Sequence, residues 1–422
     1  MSKPINLGNK IEKQLPIEVV EFLESAGLVA ANLGWSLYLV GGIVRDLLLG
    51  RSNPGLPIFS RTGLDIDLVV EGDAIALAKL LAENTGGKLL IHLRFGTAKL
   101  KWDEWNADLA IARMETYSRP GALPTVKPGS IARDLFRRDF TVNAMAVELI
   151  PGRWGQLIDP YGGLADLKDK KIRILHENSF IDDATRIWRA IRYEQRFAFS
   201  LERNTLRLLN RDIRQFSTIS GDRIRHELER VLKEAEPEKV LRRADGLGVL
   251  AKLHPKLKGN DWLAEKFQAA RRLIQPGTSI ALNVVLLTYP LTKSEIESLI
   301  SYLHFPKPLA QTLRDSCSLK TRLKLMSKTD LRPSRVYELL YGYSEMAITA
   351  LSLATESPTV RRHIELFLAR LRYVKPSLTG EDLKKLGIPA SSERKEILHK
   401  LLLARLNGQV NSGKEEEKLV RG

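Results

Sequence analysis

Two aspartates one residue apart, Asp65 and Asp67, interrupt the apolar run Leu64-Asp65-Ile66-Asp67-Leu68-Val69-Val70. Side chains alternate along a strand, so both carboxylates project from one face. Placed so, they repel each other unless something neutralises them. Mg2+ suits the task, being hard, oxygen-seeking and commonly held by one or two carboxylates plus substrate phosphates. Such ions can activate an attacking hydroxyl and steady the leaving oxygen of an in-line displacement. The same residues also fit a polar strand end facing water.

Other residues could complete a phosphate chemistry. Gly41-Gly42-Ile43-Val44-Arg45-Asp46 follows the apolar run ending at Val40. Glycines there let backbone N–H groups approach a phosphate, and Arg45 would add a planar cationic fork. Asp108 sits in apolar, strand-like surroundings, where a charge needs a partner. Asp65, Asp67 and a metal could provide one, as could Arg113. The adjacent arginines of Arg137-Arg138-Asp139 precede an apolar run. Arg138 could hold phosphate oxygens in bidentate fashion, and Asp139 could orient an arginine or a sugar. In Asp182-Asp183-Ala184-Thr185-Arg186, Asp183 lies three residues before Arg186, and Arg189 and Arg192 continue the spacing. On a helix these form one polar ridge. Asp183 and Arg186 could then read the pairing edge of a base, or the ridge could be a solvated face.

These side chains need a scaffold. Leu37–Val40, Ile66–Val70, Lys88–His92, Thr97–Trp102 and Asp108–Ile111 read as strands, and Ala74–Glu83 as a helix. The Pro- and Gly-rich stretch Tyr117–Ser130 reads as a long exposed loop. From about Phe180 the apolar spacing is helical throughout. The predicted class is α+β: a head on a small mixed sheet, followed by an all-α remainder. The charged tail after Val410 predicts fraying.

With 422 residues, the chain is too long for one small core. Its net charge of +16 suits a polyanionic partner such as nucleic acid or anionic lipid. One cysteine, Cys317, excludes an intramolecular disulfide and a cysteine-based zinc cluster, and points to a reducing compartment. The polar first residues predict no signal peptide, and no run of about 18 apolar residues predicts a membrane span.

The ordered motifs GGIVRD, DID, DLAIAR, RRDFTVNAM, DPYGGLADL and DDATRIWRAIR, within about residues 35–200, resemble those of the class II tRNA nucleotidyltransferases, a family that includes bacterial poly(A) polymerases. Leu378-Thr379-Gly380-Glu381-Asp382-Leu383 resembles the end of bacterial CCA-adding enzymes. The resemblance implies a seahorse of catalytic head (1–150), base-selecting neck (151–220), RNA-binding helical body (221–375) and tRNA-binding tail (376–422). It implies cytoplasmic transfer from ATP or CTP to a tRNA 3′ end. Asp65 and Asp67 would bind Mg2+, with Asp108 assisting catalysis. Gly42, Arg45 and Arg138 would contact phosphates and sugar. Asp183 and Arg186 would imitate a template base, with Arg189 and Arg192 in the same ridge. The Tyr117–Ser130 loop would help switch nucleotides. Two departures stand out: the neck motif begins Asp182-Asp183 where the family has Glu-Asp, and the loop between Arg45 and Asp65 is long. Full CCA addition, CC-addition and A-addition all fit. A poly(A) polymerase fits less well, because Leu93-Arg94-Phe95-Gly96-Thr97 replaces the expected signature. A non-catalytic RNA-binding protein would have lost Asp65 and Asp67. A phosphohydrolase would carry a tandem His-Asp pair, which is missing around His254.

Overall fold

The apolar runs become strands because each supplies alternating side chains to a core on one or both faces. We describe a computed structural model over residues 5–50, 64–122, 124–273, 280–388 and 391–421. The long loop before Asp65, with Pro54, Pro57 and Gly63, lies outside the described residues. Contacts divide the chain into two compact units, Met1–Lys252 and Leu253–Gly422.

In the first unit the strands are β1 (Ser36–Val40), β2 (Asp65–Glu71), β3 (Lys88–His92), β4 (Thr97–Trp102), β5 (Trp105–Ile111), β6 (Arg113–Thr116), β7 (Thr125–Pro128), β8 (Ala146–Glu148) and β9 (Leu157–Ile158). Seven form one mixed sheet, ordered β3-β4-β5-β2-β1-β8-β9. β2 and β5 run parallel in a register that sets Asp67 beside Asp108, while β4 runs antiparallel to β5 and sets Lys99 beside Asp108. Ile66, Leu68 and Val70 enter a large core with the Ile17–Asn32 and Ala74–Thr85 helices. Val69, on the opposite face with Asp65 and Asp67, enters a smaller cluster with Ile131, Leu135 and Ala146. The sheet is thus apolar on one side and, at the start of β2, acidic on the other.

The long loop expected over Tyr117–Ser130 is in part the second strand of a hairpin, β7, and its other described residues are in neither helix nor strand. β6 and β7 pair antiparallel, Arg113 opposite Pro128 and Thr116 opposite Thr125. Pro128 sits at the last paired position, where a missing N–H is tolerated. Apart from a short parallel pair of strands, Lys171–Ile172 and Ser200–Leu201, the elements in the remainder of the unit are helical, and its Thr185–Arg196 helix buries Ile187, Trp188, Ala190 and Ile191.

The second unit is helical throughout its described residues. Leu319, Leu340, Ile348, Phe367 and Leu406 share its core. The Thr379-Gly380-Glu381-Asp382 motif has a local cause: Thr379 and Asp382 form a capping box that starts the Gly380–Lys385 helix. One expectation changes here. The tail does not fray, because the Gly413–Arg421 helix buries Glu416, whose carboxylate accepts from the Ser377 and Leu378 amides at 2.8 and 2.9 Å and from Arg405 at 2.6 Å. Arg322 donates to the Leu339 carbonyl at 3.0 Å and lies over the Tyr343 ring. No described helix is long and apolar enough to cross a membrane.

Candidate active site

β1 ends at Val40, and the chain turns sharply into the Gly42–Leu49 helix. The turn residue Gly41 has φ 78° and ψ −134°, a conformation open essentially to glycine alone. A Cβ on it would meet Arg138 Nη1 at 2.9 Å and Asp67 Oδ2 at 3.7 Å. Gly42 is ordinary helix, and a Cβ there would meet nothing closer than 3.4 Å. Of the two glycines, the backbone constraint falls on Gly41.

This turn opens onto a cavity of about 950 Å³ lined by Asp65, Asp67, Asp108, Arg138, Asp183, Arg186 and Arg189, among others. Burial pushes the Asp67 carboxyl up to about 6; Asp108 and Asp65 push the same way, and Arg138 partly offsets them. A divalent cation would relieve such crowding, so the pair fits one. Among the described residues no three His, Cys, Asp or Glu side chains gather as a metal cluster. Two carboxylates with substrate phosphates and water as further ligands is a usual arrangement for Mg2+. Asp108 is half-exposed and pairs with Lys99 at 3.1 Å, not with Arg113, which turns to Glu115 at 2.9 Å.

Arg138 is aimed by a carboxylate that was not foreseen. Asp134, fully buried, binds Arg137 at 2.7 Å and Arg138 at 3.1 Å. Arg45 is buried: it bonds Asn143 Oδ1 at 2.6 Å and Asp46 at 2.8 Å, and lies 4.4 Å from the Phe197 ring centre. It also lines the cavity. Asp139 orients an arginine, pairing with Arg189 at 2.5 Å. Burial alone would raise its carboxyl, but Arg189, Asn143 and Arg186 hold it below the ordinary value.

Asp183 and Arg186 both reach the cavity, but not as one helical ridge. The helix begins at Thr185, and Asp183 is extended before it. Its carboxylate caps Thr185 N at 2.9 Å and binds Arg223 at 2.8 Å. Arg186 donates to Ser179 Oγ at 2.6 Å and to the Arg137 carbonyl at 2.7 Å. These two bonds anchor it, and Asp182 interacts with it through charge. Neither is the face solvated: Arg186 and Arg192 are 5% and 7% exposed.

Arg192 is a correction. It does not line the cavity and binds Glu234 at 3.2 Å. At 3.6 residues per turn, steps of three drift back about 60° each, so Arg192 has left the face of Arg186. Tyr193 and Arg196, seven and ten residues on from Arg186, stay on it and line the cavity. Counting sevens as well as threes would have found them. Asp134 was signalled by its spacing of three and four from Arg137 and Arg138, whereas Glu115 carried no signal beyond lying near Arg113.

Known proteins match this arrangement. A family model described as "Poly A polymerase head domain" matches residues 37–173, and one described as "Probable RNA and SrmB- binding site of polymerase A" matches 198–260. An A-adding tRNA nucleotidyltransferase of Geobacter sulfurreducens is 36% identical over 97% of this chain, which spans 48% of that protein. One of Halalkalibacterium halodurans is 32% identical over 99% of this chain and 95% of its own. Among solved structures, an apo CCA-adding enzyme matches with TM-score 0.83 and 30% identity, over 100% of this chain and 99% of the other. The Thermotoga maritima CCA-adding enzyme complexed with tRNA matches with TM-score 0.78 and 30% identity, over 100% and 99%. With a cavity that joins an acidic strand end to a basic helix, and with relatives along its whole length, the chain belongs to the tRNA nucleotidyltransferase family.

Proposed function

We propose that this protein adds the terminal A to tRNA ending in CC, using ATP. The carrying observation is the cavity itself, which is lined both by Asp65 and Asp67 of β2 and by Asp183 and Arg186 at the start of the Thr185–Arg196 helix. The choice of A over C is supported by the A-adding relatives, whose likeness runs through both halves of the chain. Full CCA addition with CTP and ATP is the second reading, supported by the fold of the CCA-adding structures. The division into head 1–150, neck 151–220, body 221–375 and tail 376–422 and a cytoplasmic location belong to the same proposal.

In the proposed reaction the tRNA 3′-hydroxyl oxygen attacks the α-phosphorus of the nucleotide. A new P–O bond forms, the bond to the β-phosphate bridge breaks, and pyrophosphate leaves. Asp65 and Asp67 would hold Mg2+, which when bound lowers the pKa of the hydroxyl and offsets charge on the leaving oxygens. Arg138, held by Asp134, presents its fork to the phosphates. Asp108 would take the hydroxyl proton. Arg186 and Asp183 offer a fixed donor and acceptor to the base, and their anchoring means little reorganisation on binding. Positioning supplies much of the acceleration.

Transcripts ending before the first C, after one C and after two Cs, each given ATP or CTP alone, test this. Incorporation of one A onto the CC-ended transcript only is expected. Incorporation of C onto the shorter transcripts would shift the assignment to CCA addition, and unending A addition would make it a poly(A) polymerase. EDTA should abolish incorporation and excess Mg2+ restore it.

A further inference from the structure

Four polar residues, Arg45, Asn143, Asp139 and Arg189, form a chain along the cavity, and Asn143 has no role so far. Asn143 ends the 3-10 turn Thr141–Asn143 and is 6% exposed. Its Oδ1 accepts from Arg45 Nη1 at 2.6 Å, and its Nδ2 donates to Asp139 Oδ1 at 3.1 Å. Asp139 Oδ2 in turn meets Arg189 Nη2 at 2.5 Å. Cation, amide, anion and cation thus alternate from the Gly42–Leu49 helix to the Thr185–Arg196 helix.

The chemistry leaves little freedom at position 143. The group must accept from a guanidinium and donate to a carboxylate at once. An amide does both, and its orientation is forced, because flipping it would set N–H against guanidinium and oxygen against carboxylate. Aspartate can accept but not donate when ionised. Alanine does neither and would leave buried charged groups short of partners, which is costly.

We infer that Asn143 is a positioning residue that fixes Arg45 and Arg189 relative to each other, and so holds the phosphate end and the base end of the cavity in one register. The inference rests on the nucleotide-transfer reading above. Arg45 also packs on Phe197, from the end of the same helix that carries Arg189, so the tie is reinforced by a second contact. With Asn143 removed, Arg45 loses its shortest bond and Asp139 keeps the Phe140 amide and Arg189. The nucleotide must then order both arginines itself, and its affinity falls.

Asn143→Ala and Asn143→Asp test this with two readouts. ATP and CTP binding is measured by titration calorimetry, and transfer is measured on CC-ended tRNA between pH 8 and 5.5. For Asn143→Ala, a tenfold or greater rise in Kd and KM for the nucleotide is expected, with a smaller change in kcat. Asn143→Asp should be equally impaired at pH 8. As pH falls it should recover several-fold relative to wild type, because one proton shared between the carboxyl introduced at position 143 and that of Asp139 donates as the amide did. Charged groups facing this pair are Arg45, Arg186 and Arg189, with Asp46 beyond Arg45 and Glu227 beyond Arg189. Should Asn143→Ala not fold, the near-isosteric aspartate carries the test. Wild-type nucleotide affinity in both variants, or an Asn143→Asp to wild-type ratio that is flat with pH, would overturn the inference. If wild type transfers nothing, the transfer reading fails, while the binding data still decide the role of Asn143.

Discussion

Asp67→Asn is expected to lose at least about a thousandfold in transfer rate, the equivalent of several kcal/mol of charge stabilisation at the reacting phosphate. It should do so without loss of fold. Burial and the Asp108 and Asp65 carboxylates raise the Asp67 carboxyl to about 6. A folded-state value above the ordinary one means that ionisation works against folding. Stability is therefore lost as pH climbs from the usual carboxylate range through 6. The amide has the same shape and no charge, so it removes this cost. At pH 7.5 the variant should melt no lower than wild type. Rate assays and thermal melts on one preparation check both halves. A variant that is inactive and much less stable would mean that Asp67 is needed for the fold, and an active one would remove it from catalysis.

Gly41→Ala is expected to be nearly as damaging, and Gly42→Ala is its control. Placing a non-glycine residue at φ 78°, ψ −134° costs about 1–3 kcal/mol. The new methyl would also press on Arg138 Nη1 and approach Asp67 Oδ2. A displacement of about 1 Å in a phosphate-holding group can cost about a hundredfold in rate. Both kcat/KM for ATP and the melting temperature should therefore fall. At Gly42 the backbone is helical and the nearest group is the flexible end of Arg45, so alanine there should change each by far less. Equal effects at the two glycines would show that the strain does not reside in the Gly41 turn.

Much of this site was legible from the chain because its chemistry is local. The alternation of Asp65, Ile66, Asp67 and Leu68 fixes which face is acidic, and the structure adds only that Val69 continues that face into a core. The hairpin at Arg113–Pro128 was harder, since its prolines and glycines mimic a loop, and the pairing is visible only in register. β8 is three residues long and buried on both faces, too short to show a period. The charge clamps were only partly legible. Asp134 stands three and four residues before Arg137 and Arg138, a spacing at which helical side chains meet, but nothing in the sequence says that Arg192 is taken by Glu234 forty-two residues away. Such partners are chosen by packing, and a single sequence records packing only as composition.

The most direct measurement is diffraction from crystals grown with Mn2+ and a non-hydrolysable ATP analogue. An anomalous peak held by the Asp65 and Asp67 carboxylates and the triphosphate is expected, with the adenine edge against Asp183 and Arg186. A peak elsewhere, or a nucleotide bound away from this wall of the sheet, would contradict the placement of catalysis at the start of β2.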